Sequence, residues 1–87
     1  MKDWQGKRYW LIGASEGLGE ALAHQLSRVG AEVIVSARSE DKLKSLSDAL
    51  PGQSSHVALD ATDRAAVENA AREIGEIDGM VYLAGVY

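Results

Sequence analysis

The fold of this chain is decided by the stretch YWLIGASEGLG, residues 9–19. It opens with a short apolar run ended by glycine, which is typical of a strand buried on both faces. Glycines at positions 13, 17 and 19 follow, and apolar residues then recur at helical spacing until Gly30 can end the helix. The predicted apolar stripe of this helix comprises Leu18, Ala21, Leu22, Leu26 and Val29, and Gln25 interrupts it.

Each glycine of the loop has a physical reason to stand where it does. Gly13 permits a tight turn, and Gly17 lets backbone N–H groups approach a pyrophosphate with no Cβ in the way. Gly19 lets the helix pack close to the sheet. The pyrophosphate would rest at the helix N-terminus, where unpaired N–H groups and the helix dipole favour an anion. The alternative, a tight turn that binds no ligand, is disfavoured by three glycines between a strand and a helix.

Beyond this stretch the chain goes on alternating between strand and helix patterns. Apolar runs predict further strands at residues 33–35, 56–59 and 80–84. Regular alternation implies a parallel sheet, and right-handed crossovers favour a Rossmann-type, doubly wound α/β fold with strand order 3-2-1-4. In that arrangement the first two helices cover one face of the sheet and the third helix covers the other.

The two later helices have recognisable start and stop signals. Ser39 can cap the second helix, and Pro51 stops it. The third helix begins at a cap supplied by Thr62 or Asp63 and ends at Gly75. The predicted buried positions are Leu43, Leu46 and Leu50 in the second helix, and Val67, Ala70, Ala71 and Ile74 in the third.

The fourth predicted strand lies at an edge of the sheet, yet it is too apolar for an exposed edge. We therefore expect residues 1–87 to be the N-terminal, cofactor-binding portion of a single Rossmann domain that ends after its fourth strand. More chain, or another molecule such as a second copy, would then cover that edge.

Composition bounds the class of protein. The 87 residues are 46% hydrophobic and 25% charged and include no cysteine, which suits a soluble cytoplasmic domain and excludes disulfides and thiolate metal sites. The formal net charge of -4 argues against a nucleic-acid partner. No apolar run is long enough to span a bilayer. His24 and His56 are too isolated to predict a metal site.

The glycine spacing G-x3-G-x-G and three later landmarks resemble the short-chain dehydrogenase/reductase family. The landmarks are Ala37-Arg38 after the second strand, Leu59-Asp60-Ala61-Thr62-Asp63 after the third, and Ala84-Gly85 at the end of the fourth. The resemblance implies that a nicotinamide dinucleotide lies on the glycine loop. Asp60 would meet the adenine amino group, with Ala61 beside the ring and Gly85 near the nicotinamide-side ribose. The expected cofactor-binding residues are Gly13, Ser15, Glu16, Gly17, Leu18, Gly19, Ser36, Ala37, Arg38, Asp60, Ala61, Ala84 and Gly85.

Two positions depart from the family pattern. Ile12 stands where the family usually has threonine, and Tyr82-Leu83 replace its Asn-Asn pair. In relatives the threonine hydroxyl ties the first strand to the end of the fourth. Removing a buried donor together with its polar partners can be nearly neutral, because no group is left unpaired. We expect an apolar contact between Ile12 and Tyr82 to replace the polar tie.

Cofactor choice follows from the end of the second strand. Ala37 stands where NAD-selective Rossmann sites place an acid that bonds the ribose hydroxyls. Arg38 follows it, and a guanidinium can bond a 2′-phosphate with paired, charge-assisted hydrogen bonds. Ser36 and Ser39 are candidate further donors. Against this, Arg38 is also explained as a solvated surface residue, and Glu16 occupies a loop position that is often basic in NADP-preferring relatives. We expect NADP(H) over NAD(H).

Catalysis in the family depends on a serine and a Tyr-x-x-x-Lys pair that lie beyond the fourth strand. None of Tyr9, Tyr82 and Tyr87 is followed four residues later by lysine, so no catalytic residue is expected here. A complete enzyme would pass a hydride between the nicotinamide and a carbonyl or alcohol carbon of a small-molecule substrate. The alternative is a non-catalytic nucleotide-binding or protein-interaction domain that uses its exposed strand edge.

Overall fold

The computed structural model describes residues 5–13, 17–60 and 62–82. Strands and helices alternate through these ranges, as predicted. They are, in chain order, β1 (Arg8–Ile12), α1 (Leu18–Arg28), β2 (Glu32–Ala37), α2 (Glu40–Ala49), β3 (Ser54–Ala58), α3 (Arg64–Ile74) and β4 (Gly79–Tyr82).

The four strands form one parallel sheet in the order β3-β2-β1-β4, which confirms the predicted Rossmann-type topology. Because β1 and β2 each lie between two other strands, they hold the most enclosed residues, and Leu11, Val33 and Val35 are fully buried. Strand lengths differ from the sequence prediction: β2 extends one residue before and two after 33–35, and β3 begins at Ser54. Pairing with a neighbour decides these ends, since polar residues such as Ser54 join the ladder opposite Val33.

Two apolar clusters lie on opposite faces of the sheet. The first lies between the sheet and helices α1 and α2 and includes Leu11, Ala23, Leu26, Val33, Val35, Leu43, Leu46 and Leu50. The second lies on the α3 side and includes Trp10, Ile12, Ile34, Leu59 and Ala70. The predicted division of the helices between the two faces is therefore confirmed, as is the buried leucine stripe of α2.

The buried face of α1 is only partly the predicted one. Leu26 is buried and Leu22 packs against the first cluster, as predicted. Leu18 is 71% exposed and Val29 36% exposed, and Ala21 is exposed as well. The other buried residues are Gly19, Ala23 and Ser27, which the predicted stripe did not include. Small side chains let the helix approach the sheet closely. The fit of the helix against the sheet therefore decides which face is buried, more than the size of its apolar residues does.

Ser27 is buried because its hydroxyl has a partner. Its Oγ accepts a hydrogen bond from the Gly52 backbone N–H at 2.8 Å, which ties α1 to the turn before β3. The buried face of α3 also differs at one position, since Ala71 is exposed while Ala66 packs against the cluster.

The helix ends follow the sequence signals closely. Gly30 takes φ 98° after α1, and the N–H groups of Gly30 and Ala31 donate to the carbonyls of Ser27 and Leu26, which is a Schellman motif. Asp63, rather than Thr62, caps α3 by accepting from the Ala66 N–H at 3.2 Å.

Candidate functional site

Three strands end at one edge of the sheet, as the carboxyl ends of parallel strands must. Gly13 follows β1, Arg38 follows β2, and Asp60 lies two residues beyond β3. In open α/β sheets a ligand binds in the crevice outside this edge. Of the residues proposed from the sequence, Ser15, Glu16, Ala61, Ala84 and Gly85 lie outside the described residues.

The glycine turn has the backbone geometry that only glycine adopts readily. Gly13 has φ 87° and Gly17 has φ 66°, both in the left-handed region. Among the described residues other than its chain neighbours, none places a heavy atom within 4 Å of where a Cβ of Gly17 would stand. Gly17 immediately precedes α1, whose first N–H groups have no partner within the helix.

The next two residues take different roles at the start of α1. The side chain of Leu18 is exposed towards solvent, whereas Gly19 is buried and lets the helix approach the sheet. The turn itself is anchored to the neighbouring strand, because the Gly13 N–H donates to the Ser36 carbonyl oxygen at 2.6 Å. An anion at the helix N-terminus would therefore meet a turn held against β2.

Arg38 and Asp60 form the charged part of the same edge. Arg38 is exposed, and its charge is among the causes that lower the pKa of the Asp60 carboxyl. The strand ends that carry them are joined by a hydrogen bond from the Leu59 N–H to the Ala37 carbonyl oxygen at 2.9 Å. A cation and a hydrogen-bond acceptor are thus presented side by side.

Asp60 is held by the residue that begins the turn into α3. Its Oδ1 accepts from the Thr62 hydroxyl at 2.7 Å and from the Thr62 backbone N–H at 2.9 Å. These two bonds, the hydroxyl first, lower the pKa of Asp60. Within the described ranges Oδ2 accepts no hydrogen bond, so the carboxylate keeps one oxygen with which to accept from a ligand amino group.

Ser36 does not serve as the phosphate donor that its place in the sequence indicated. Its side chain is 0% exposed and points into the α3-side cluster, where its Oγ accepts from the Trp10 indole Nε1 at 2.8 Å. Sequence reasoning missed this partner. The available signal was a tryptophan inside a buried strand, because a buried indole N–H needs an acceptor.

Ser39 remains available at the same edge. It is the N-cap residue of α2, is exposed, and makes no side-chain cap hydrogen bond. Its hydroxyl and the Arg38 guanidinium are therefore adjacent donors at the start of a helix, where negative charge is favoured.

The chemistry of this edge fits a dinucleotide. The glycine turn and the α1 N-terminus suit a pyrophosphate, the Asp60 carboxylate suits an amino group of the base, and Arg38 with Ser39 suits a phosphate on the ribose. Ile12 and Tyr82 lie beside one another in the β1–β4 register, as a direct contact between them requires.

Metal and membrane sites are not found in the described part of the chain. No group of three or more histidine and acidic side chains among these residues is placed to hold a metal ion. His56 lies 3.7 Å from a carboxylate oxygen of Glu40 and is explained by that contact. No helix within the described ranges is long and apolar enough to cross a membrane.

Comparison with known proteins agrees with this geometry. The sequence model of the short chain dehydrogenase family matches residues 7–87. The chain is 40% identical over 86 residues to the 3-oxoacyl-(acyl-carrier-protein) reductase FabG of Salmonella typhimurium, covering 94% of this chain and 35% of that protein. It therefore spans about a third of the length of this reductase and of the Escherichia coli FabG that it also matches.

Two similar solved structures contain a dinucleotide. A metagenomic short-chain oxidoreductase in complex with NADP is 29% identical, with a TM-score of 0.81 over 87% of this chain and 38% of that one. An NADH-dependent reductase, A1-R′, complexed with NAD is 28% identical, with a TM-score of 0.74 over 93% of this chain and 37% of that one. The same fold thus binds either cofactor.

Proposed function

The chain belongs to the short-chain dehydrogenase/reductase family, and from that premise we propose that it supplies the adenosine and pyrophosphate half of an NADP(H) site in an oxidoreductase. Residues 1–87 would be the N-terminal portion of a single Rossmann domain. The nicotinamide, once bound, supplies or accepts the hydride exchanged with a carbonyl or alcohol carbon. The residues of this chain bind and orient the cofactor, and none of them is assigned to proton transfer.

One observation carries this proposal: the left-handed glycine turn is bonded to β2 at the sheet edge that also presents Arg38 and Asp60. The backbone at Gly17 and the first turn of α1 would bind the pyrophosphate. Asp60 would accept from the adenine amino group. Ser15, Glu16, Ala61, Ala84 and Gly85, all outside the described residues, complete the proposed set of contacts.

Preference for NADP(H) rests on charge at the end of β2. Ala37 supplies no carboxylate to bond the ribose hydroxyls or to repel a 2′-phosphate. Arg38 is exposed beside the N-terminus of α2, and Ser39 has a hydroxyl without a cap bond. A guanidinium bonds a phosphate through two N–H groups at once, which makes Arg38 the residue that distinguishes the two cofactors.

Titration of the intact protein with NADPH and NADH tests this preference. Arg38→Gln is expected to raise the NADPH Kd by about tenfold or more, because a charge-assisted bond contributes roughly 1.5–3 kcal/mol, and to leave the NADH Kd within about twofold. Arg28→Gln is the matched control, because Arg28 is also exposed but lies in the last turn of α1, at the end of the helix away from the glycine turn. Equal or tighter binding of NADH by the wild type would contradict the assignment.

A second function, binding without catalysis, is favoured by the β4 edge. Met80 and Tyr82 are 52% and 53% exposed there, so an apolar surface is open to a partner chain. Cofactor binding by the intact protein together with NADPH oxidation by a panel of carbonyl compounds supports the enzyme. Cofactor binding without turnover of any compound, in a stable complex made through β4, supports the interaction module.

A further inference from the structure

We propose that Trp10 is a positioning residue for the dinucleotide site, acting through Ser36 on the glycine turn. The buried indole N–H donates to the Ser36 hydroxyl, and the Ser36 carbonyl oxygen accepts from the Gly13 N–H. These two bonds would fix the position of the glycine turn from which α1 meets the pyrophosphate. The choice of ligand rests on the proposed function, whereas the coupling between Trp10 and the turn stands on geometry alone.

The first link is a diagonal contact across two strands. In the sheet register Trp10 pairs with Ile34, and Ser36 pairs with Ile12, so the tryptophan reaches two residues along β2 towards the carboxyl edge. Both side chains lie on the α3 face, Trp10 2% exposed and Ser36 0% exposed. The Nε1···Oγ distance is 2.8 Å. Among apolar residues only a side chain as long as tryptophan, with a donor at its far edge, makes this contact.

The second link runs along the backbone of Ser36. Its carbonyl oxygen accepts the Gly13 N–H at 2.6 Å, while its hydroxyl is held by Trp10. Ser36 is thus fixed through its side chain and through its main chain. Gly13 has no side chain to pack, and this carbonyl bond extends the β1–β2 pairing one residue beyond Ile12, to the start of the turn.

Burial makes the pair sensitive to loss of either partner. Within the described ranges no buried side-chain nitrogen or oxygen lacks a hydrogen bond. The Trp10 Nε1–H and the Ser36 Oγ are hydrogen-bonded to each other. Removing the indole N–H leaves a hydroxyl stranded in an apolar cluster, and Ser36 is then free to shift. Binding groups must be held within about 0.5 Å of their working positions, so such a shift reaches the ligand.

Amide exchange tests the coupling without any cofactor. Trp10→Phe keeps an aromatic ring but removes the indole N–H together with part of the buried bicyclic ring, so global stability is measured in the same variant. We expect the Gly13 amide to exchange about fivefold to tenfold faster in this variant, beyond any change in global stability. Ser27→Ala is the matched control. It removes a buried serine hydroxyl of α1 that accepts from the Gly52 N–H in the turn before β3, away from the glycine turn.

Cofactor affinity then separates positioning from plain stabilisation. In the intact protein, Trp10→Phe is expected to raise the NADPH Kd about fivefold to tenfold, although Arg38 itself is unchanged. The double variant Trp10→Phe/Ser36→Ala removes both polar groups. It should regain the part of the lost melting temperature that the unpaired hydroxyl causes, but not the part caused by the cavity, while its Kd stays raised. A Kd that recovers together with stability, or that rises equally in Ser27→Ala, overturns the proposal.

Different results would overturn the proposed function and the positioning role of Trp10. Absence of NADPH and NADH binding by the wild type overturns the proposed function. Unchanged Gly13 exchange in Trp10→Phe overturns the positioning role, whatever the cofactor affinity. Faster Gly13 exchange with a wild type that binds neither cofactor supports the coupling and overturns the assignment of its ligand.

Discussion

Asp60 is a carboxylate whose ionised form the local chain stabilises before any ligand arrives. The Thr62 hydroxyl and the Thr62 N–H both donate to its Oδ1, and Arg38 adds a positive charge nearby. All three interactions favour the ionised form and keep its pKa below the ordinary value of about 3.9. An adenine amino group would therefore meet a charged acceptor throughout the neutral range.

Replacement of Thr62 by alanine should move the Asp60 pKa back towards its ordinary value, because the hydroxyl is the leading cause of the shift. A carboxyl whose pKa is lower in the folded state contributes stability above its unfolded pKa, and that contribution is lost as the pH falls through the folded pKa. The wild type should therefore lose stability below about pH 4 more steeply than Thr62→Ala.

Carbon-detected NMR titration of the Asp60 carboxyl, with urea unfolding from pH 7 to pH 3, measures both effects. Ser55→Ala, which removes an exposed hydroxyl from β3, is the control and should leave both curves unchanged. An Asp60 pKa that is the same in the wild type and in Thr62→Ala would contradict the interpretation.

At the scale of elements, Arg8 joins three parts of the chain at the amino edge of the sheet. Its Nη1 donates to the carbonyl oxygens of Ile74 at 3.0 Å and Glu76 at 2.8 Å, and its Nε lies 3.3 Å from a carboxylate oxygen of Glu32. The C-terminal carbonyls of a helix lack partners and carry partial negative charge. Arg8 thus holds the end of α3 against β1.

Arg8→Met should lower the free energy of unfolding by about 1–2 kcal/mol, since it removes two hydrogen bonds from a charged donor at a half-exposed site. Arg8→Lys should recover less than half of that loss, because an ammonium lacks the planar fork that reaches both carbonyls and Glu32. Urea denaturation measures both variants.

Arg72→Met is the matched control for Arg8. It removes a cation from the last turn of the same helix, where Arg72 is exposed. An exposed charge near a helix terminus is expected to contribute about 0.5 kcal/mol or less once screened. Equal losses in Arg8→Met and Arg72→Met would show that charge alone, and not the carbonyl contacts, stabilises the end of α3.

At the scale of the whole molecule, the two edges of the sheet differ in kind. The β3 edge begins with Ser54, Ser55 and His56, which suits contact with water. The β4 edge carries Met80 and Tyr82, both more than half exposed on the α3 face. Among the residues that the structure describes, no strand pairs with the outer side of β4. An unpaired apolar strand edge is a template for pairing with another strand.

A polypeptide of these 87 residues should therefore self-associate through β4, and Met80→Lys should shift it towards monomer because a charge on the edge opposes pairing. Sedimentation velocity across a concentration series measures the effect. Ser55→Lys places the same charge on the β3 edge and should leave the association unchanged. A wild-type polypeptide that is monomeric at every concentration would contradict the prediction. So would an equal shift towards monomer in the Met80→Lys and Ser55→Lys variants.

Residues 1–87 by themselves determined the order of the elements, the parallel sheet and the place of the glycine turn. These properties follow from short-range patterns: the alternation of strand and helix, Gly13 and Gly17 at left-handed positions, and Gly30 at a helix end. Arg38 was identified by its place after the second strand, and Asp60 by the resemblance to the short-chain dehydrogenase/reductase family. Parallel strands bring both residues to one edge of the sheet.

Only the tertiary structure decided which face of α1 is buried, that Ser36 points into the core, and that Arg8 binds the carbonyl oxygen of Ile74 at the end of α3. The Trp10–Ser36 bond joins residues 26 positions apart, and the Arg8–Ile74 bond joins residues 66 positions apart. Periodicity shows which residue types repeat along a chain. Close packing and the pairing of buried polar groups depend instead on residues distant in the sequence, which meet only when the sheet has formed.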